Sequence, residues 1–200
     1  MDTPAPHAAV VAPATDAERA GLALLAARAM HDNPMHVAAI GPDVDRRVEV
    51  MRRAYVPMLA GREVLAARVG ERVVGVAAHT PSPGCRTGII GLVRFAPAAV
   101  RAGAATPRLL RWLADWGRRD PGEPHSHLGP VAVDARFRGS GVGGALLARY
   151  AALLDERGQT GYLETDRPAN VRFYRRFGFE VTDEALVLGV PNWFMVRAPR

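Results

Sequence analysis

Apolar positions along the chain change period several times, and each change predicts an element. Ala8 to Ala12 is a short apolar run ended by Pro13, which reads as a first strand. Thr15 and Glu18 have the spacing of a capping box. Leu22, Leu25, Ala26 and Ala29 then share one face of a helix running to about His31, where Asn33 and Pro34 stop it. A second helix starts near Pro42, carries Val44, Val48, Met51 and Tyr55 on a stripe, and ends at Pro57. Val64 to Val69 and Val73 to His79 read as strands joined tightly at Gly70 and Glu71, a hairpin. From Thr80 the chain loosens through Pro81, Pro83 and Gly84, until Thr106 and Pro107 open a helix. Its Leu109, Trp112, Leu113 and Trp116 fall at i, i+3, i+4 and i+7. The segment 80–126 is thus a long insertion, read either as the wall of a substrate pocket or as a helix packing the sheet's flank.

Beyond it the pattern tightens. Val131, Ala132 and Val133 form a short buried strand. A polar turn follows, then Gly139, Gly141, Gly143 and Gly144, and then the strong helix-former Ala145 to Leu154. Strand, glycine-rich loop and helix start in that order make an anion site, because glycines let backbone approach a ligand and the first helical turn has unpaired N–H groups. Gly158 caps that helix, Gly161 to Glu164 is a strand, and Pro168 opens a short helix through Arg176. Phe179 to Val187 and Trp193 to Arg197 are two last strands separated by Gly189, Pro191 and Asn192. The chain divides into a loose tail, residues 1–6, and one domain, residues 7–200, with 127–180 as its ligand-binding core.

Composition narrows the class. Apolar content of 48% and charged content of 23% are those of a soluble globular chain. A single cysteine, Cys85, excludes an internal disulfide, and no apolar run has the length of a signal peptide or membrane span, so a cytoplasmic location is expected. The formal charge of +6 would suit a nucleic-acid partner, but every basic residue is arginine and alanine, glycine and proline abound. That pattern fits a compositional bias and an arginine-rich surface that attracts an anionic ligand, and no nucleic acid is expected. The absence of lysine also excludes a Walker-type phosphate loop.

Two kinds of cofactor loop compete. Gly139, Gly141 and Gly144 satisfy G-x-G-x-x-G, with Glu164 twenty residues on, as an NAD(P)-dependent oxidoreductase would want. Against this, Asp134 to Arg138 intervene between strand and first glycine, and only one such unit fits before the chain ends. The other reading is Arg-x-x-Gly-x-Gly at Arg138, Gly141 and Gly143, followed by Asn170, Phe173, Tyr174, Phe177, Gly178 and Phe179 in NVRFYRRFGF. These two stretches resemble the motifs of the GNAT (Gcn5-related N-acetyltransferase) superfamily. The wider run from YLETDRPANVRFYRRFGFEV to WFMVR is similar to its puromycin N-acetyltransferase branch. Ala135 stands where many members have proline, and Arg138 where glutamine is the common alternative.

The resemblance implies an α/β (α+β) acyl-CoA N-acyltransferase fold, a mixed twisted sheet of about seven strands flanked by helices and splayed at the cofactor strand. It implies acetyl-CoA as acyl donor, no metal and direct transfer to an amine of a small molecule, and it allows a homodimer, which is common among relatives. Carried over, Val131, Ala132 and Val133 would hold the pantetheine arm, with the Val133 N–H able to polarise the thioester carbonyl. Arg138, Gly139, Ser140, Gly141, Val142, Gly143 and Gly144 would hold the pyrophosphate. Asn170 would bond the pantetheine amides, and Tyr174 would be both a cofactor contact and the general acid, since a phenol is protonated at neutral pH. Glu164 is the candidate base, or else a structural carboxylate, with His79 and His127 as alternatives. His125 with His127 is too thin a pair for a metal site, and Cys85 has no evident base partner. A CoA-binding module without activity is the competing reading outside enzymes.

Overall fold

A computed structural model of the chain describes residues 9–85 and 93–200. The expected tail 1–6, Ala8 of the first strand and residues 86–92 of the insertion lie outside the described residues. Seven strands form one sheet: β1 (Val10–Pro13), β2 (Glu63–Val69), β3 (Arg72–Pro81), β4 (Ser126–Val133), β5 (Gly161–Thr165), β6 (Glu180–Val187) and β7 (Val190–Arg197). Their order is β1-β2-β3-β4-β5-β7-β6, and every pairing is antiparallel except β4 with β5. That parallel pair holds over Ser126 and His127 alone, opposite Gly161 and Tyr162. Past His127 the two strands part, and the sheet is split at its centre.

Among the described residues, seven α-helices cover the two faces: α1 (Arg19–Ala29), α2 (Pro34–Ile40), α3 (Val44–Ala60), α4 (Ala96–Ala102), α5 (Thr106–Gly117), α6 (Val142–Glu156) and α7 (Pro168–Arg175). Period-two alternation in β2 explains why both faces are needed. Val64 and Ala66 pack with α1, α2 and α3, whereas Leu65 and Ala67 pack with α6. Helices α1 to α5 pack on one face, and α6 with α7 pack on the other, which follows the glycine loop.

Several expected boundaries change; β1 includes Pro13, and β7 starts at Val190 rather than Trp193, taking in Pro191 and Asn192. Pro34 does not end helical structure but opens α2, since proline is tolerated in a first helical turn, and the Met35 N–H there is taken by the Asp166 carboxylate at 2.8 Å. Pro57 lies inside α3, which continues to Ala60; burial of Leu59 against the core carries the helix past the lost hydrogen bond, and Gly61 follows it. The described residues within 80–126 include two α-helices, because Ala96–Ala102 also folds. The strand before the glycine loop starts at Ser126 rather than Val131, and the helix after it at Val142 rather than Ala145. In β4 the polar Ser126 and the Gly129–Pro130 step hid a strand whose burial alternates without a break.

Close approach is set by small residues. A Cβ on Gly161 would lie 2.6 Å from Leu154 Cδ1 and 3.1 Å from Phe179 Cζ, both fully buried. Gly161→Ala is expected to cost about 1–3 kcal/mol by overpacking, lowering the thermal midpoint by about 3–10 °C. An unchanged midpoint in a melting experiment would mean that β5 moves freely away from α6.

Candidate active site

The split between β4 and β5 leaves main-chain groups without a sheet partner. Asp134 N–H donates to Val74 O at 2.8 Å, so Asp134 and, by the two-residue repeat, Ala132 turn their main chain toward β3. Val131 and Val133 therefore turn theirs into the gap. Ala132 lines the gap without a main-chain donor to offer it.

At the end of β4, Asp134 accepts from Arg136 N–H at 3.1 Å and closes a short turn over Ala135–Phe137. Gly139 and Gly141 then take positive φ, 82° and 87°, a region that side chains rarely adopt, and nothing lies within 4 Å of where a Cβ would stand on either. Gly141 is the N-cap of α6, so the N–H groups of Val142, Gly143 and Gly144 form its open first turn. Gly143 faces Phe173 and Val133, at 3.5 Å and 3.7 Å from an added Cβ, which brings α6 close to both the strand and α7. Ser140 Oγ donates to Phe137 O at 2.7 Å and stiffens the loop. Arg138 stands at the rim with one amino group donated to Ala29 O, at the C-terminal end of α1. This cradle of backbone N–H groups beside a split strand fits a long phosphate-bearing arm.

A cavity of about 1020 Å³ runs through the split and opens over both sheet halves. Tyr174, Asn170, Glu164 and Arg138 all line it, together with Trp112 and Trp116 of α5. Tyr174 is nearly buried on α7 beside Phe173 and Phe179; burial, and then the Asp166 carboxylate, push its pKa up, so the phenol keeps its proton at neutral pH. Asn170 Nδ2 donates to Thr165 Oγ1 at 3.1 Å, which orients its carbonyl. Glu164 projects from β5 two residues beyond Tyr162, on the face that His127 shares, and accepts from His127 Nε2 at 2.7 Å. Burial alone would draw the His127 pKa down, but the Glu164 charge together with side-chain hydrogen bonding to Asp120, Cys85 and Glu164 outweighs it and holds the imidazole well above its usual value.

Against this geometry, the chain from residue 41 to residue 179 matches the model of the acetyltransferase (GNAT) family. The chain belongs to that family. It is a GNAT-type N-acetyltransferase with acetyl-CoA as acyl donor. Solved structures agree in fold. One described as histone acetyltransferase HPA2 and related acetyltransferase, from Corynebacterium glutamicum, is 24% identical over 96% of this chain and 97% of its own, with a TM-score of 0.70. A ribosomal-protein-alanine N-acetyltransferase from Brucella melitensis is 19% identical over 94% and 99%, at 0.56. The yncA protein of Salmonella typhimurium, solved with acetyl-CoA, is 18% identical over 96% and 95%, at 0.58.

Not every candidate residue of the acetyltransferase reaches the cavity. His79 is buried against Tyr150 of α6, with ring centroids 5.0 Å apart, and its Nδ1 faces Ser126 Oγ, so it packs the sheet rather than the cleft. Cys85, expected to lack a base partner, has His125 Nε2 at 3.5 Å and Asp120 Oδ2 at 3.6 Å; the fold returns the loop after β3 to the start of β4. Three cavity residues carried no signal in the sequence. Asp166 caps α2 from 131 positions away, and burial keeps its carboxyl above the usual range. Arg62 donates to Gly129 O at 2.6 Å beside the split, and Asp120 lies in a run that reads only as a turn. No helix among the described residues is long and apolar enough to cross a membrane.

Proposed function

We propose that this acetyltransferase transfers the acetyl group by direct attack of a small-molecule amine, with Glu164 taking the amine proton and Tyr174 supplying one to the departing sulfur. The observation that carries this reading is that Glu164 and Tyr174 open onto one cavity, at the point where β4 and β5 part. Acetyl-CoA supplies the thioester. The Val133 N–H, turned into the split, donates to the thioester carbonyl as charge builds on its oxygen. The Val131 main chain and Asn170 carbonyl bind the pantetheine amides, while the backbone N–H groups of residues 139–144, with Arg138, bind the pyrophosphate. Tyr174 stays protonated and donates at sulfur. Glu164 accepts from His127 through one oxygen, and its carboxylate takes a proton from an incoming ammonium, directly or through water.

The wall supports the acceptor class. A volume of about 1020 Å³ is that of a small-molecule cleft, and it serves donor arm and acceptor together. The segment 80–126 closes it with Trp112 and Trp116, whose rings meet edge to face at 5.1 Å, and Trp116 Nε1 ties that wall to Asn192 of β7 at 3.0 Å. Such a wall favours a compact, partly apolar amine of antibiotic or metabolite type, in line with the resemblance to the puromycin branch, acting in the cytoplasm.

The direct test is thermal unfolding with acetyl-CoA, CoA and NAD in parallel, followed by an amine screen that reads CoA release. Acetyl-CoA and CoA at a hundred times their Kd are expected to raise the midpoint by about 5–10 °C, and NAD to leave it unchanged. A shift with NAD alone would overturn the assignment of the glycine loop. Release of CoA with peptide N-termini but with no small amine would overturn the acceptor class.

A further inference from the structure

Where the loop after β3 meets the approach to β4, four donor atoms converge: Cys85 Sγ, Asp120 Oδ2, His125 Nε2 and His127 Nδ1, all within 4.8 Å of one another. Sγ lies 3.5 Å from His125 Nε2 and 3.6 Å from Asp120 Oδ2; Oδ2 lies 3.4 Å from His125 Nε2 and 3.7 Å from His127 Nδ1. A tetrahedron around zinc, with bonds of about 2.0–2.1 Å to nitrogen and oxygen and about 2.3 Å to sulfur, has edges of about 3.3–3.6 Å. Four of the six edges already stand near that length.

The outer nitrogens say which way the rings are turned. His125 Nδ1 is 2.8 Å from Glu123 O, a carbonyl that can only accept, so this nitrogen donates and Nε2 is left with a lone pair aimed inward. His127 Nε2 donates to the Glu164 carboxylate at 2.7 Å, while its buried Nδ1 faces the other three donors, 3.7 Å from Asp120 Oδ2, with no hydrogen bond of normal length among the described residues. Backing by a carbonyl or carboxylate is what metal-ligating histidines have. The Tyr162 ring stands edge-on to both imidazoles, at 5.4 Å and 5.1 Å, and fixes their planes. The side chains of His125 and Asp120 are only 1% and 6% exposed, so a charge held here is shielded from water.

We propose that Cys85, Asp120, His125 and His127 form a tetrahedral site for a divalent metal ion, with zinc the best match to one thiolate, one carboxylate and two imidazoles. Binding sends the Cys85 thiol proton and any proton on His127 Nδ1 to solvent. The ion's two charges are then balanced by thiolate and carboxylate, which leaves the buried site neutral. Four protein ligands fill the tetrahedron and leave no position for substrate, so the role is structural. The metal clamps the inserted segment 80–126 to β4 and holds His127 as the donor to Glu164. This inference stands independently of the acceptor assigned above.

The test is cobalt substitution of the full-length protein after chelator treatment, with zinc affinity read by competition against a chromophoric chelator. One equivalent of cobalt is expected, with the intense visible bands of tetrahedral coordination and a near-ultraviolet thiolate-to-cobalt band. Cys85→Ser should abolish the thiolate band, and His125→Gln should weaken zinc binding by tenfold or more. Zinc should also slow alkylation of Cys85 in the wild-type protein, a readout that needs no variant. Sub-stoichiometric binding by wild type, the weak spectrum of octahedral cobalt, a spectrum unchanged by Cys85→Ser, or Cys85 alkylated equally fast with zinc would each overturn the site.

Discussion

Tyr174→Phe is expected to lower kcat by about 10²–10⁴-fold while leaving the KM for acetyl-CoA within about twofold. The expectation rests on placement. Tyr174 sits on α7 inside the cavity, its ring held between Phe173 and Phe179, so removing one oxygen leaves the helix and the pocket wall in place. What goes is the only proton the phenol carries. Burial raises its pKa and keeps that proton bound at neutral pH, so the wild-type group is in its donating form throughout the working range. The check is steady-state kinetics with the best amine from the screen, beside a melting curve to show that the variant still responds to acetyl-CoA. A loss much smaller than tenfold would remove Tyr174 from the role of acid and return it to packing.

The second large effect is expected at Glu164. Glu164→Gln should reduce kcat by about 10²-fold or more, because a carboxamide still accepts the His127 Nε2 hydrogen bond but takes no proton from an ammonium. The isosteric change thus separates chemistry from positioning. If Glu164 served only to orient His127, glutamine would sustain most of the activity, and near wild-type turnover would sink the proposed base. Metal content in the same variant should stay at one equivalent, since Glu164 backs a ligand and is not one. A variant that lost metal and activity together would place the defect in the clamp.

How much of this is legible in the sequence depends on how local each signal is. The hairpin of β2 and β3 was readable because Gly70 and Glu71 sit between two runs that each end in a turn residue, all within one short window. The glycine loop was readable for the same reason: Gly139 and Gly141 need positive φ in their own backbone, whatever surrounds them. The helix at Pro34–Ile40 was not readable. A proline after an asparagine marks a stop and a start equally well, and what favours the start is the Asp166 carboxylate, brought from the far side of the split to the Met35 N–H. The extent of α3 past Pro57 is not written locally, because the gain from burying Leu59 appears only once α1 is packed against it.

The same distinction runs through the chemistry. Arg138, the glycines, Asn170 and Tyr174 fall in two contiguous stretches whose spacing carries over directly, so the sequence by itself determined the family, the donor and the fold. It could not determine which side chains meet across the cleft. Cys85, Asp120, His125 and His127 come from a loop, a turn and the beginning of a strand, and Glu164 from a strand that pairs with β4 for two residues before leaving it. Only the closed sheet brings them within bonding distance. Local backbone preference is written in neighbouring residues, whereas a cluster of donors depends on where distant segments are packed, and that is fixed by the burial of both sheet faces at once.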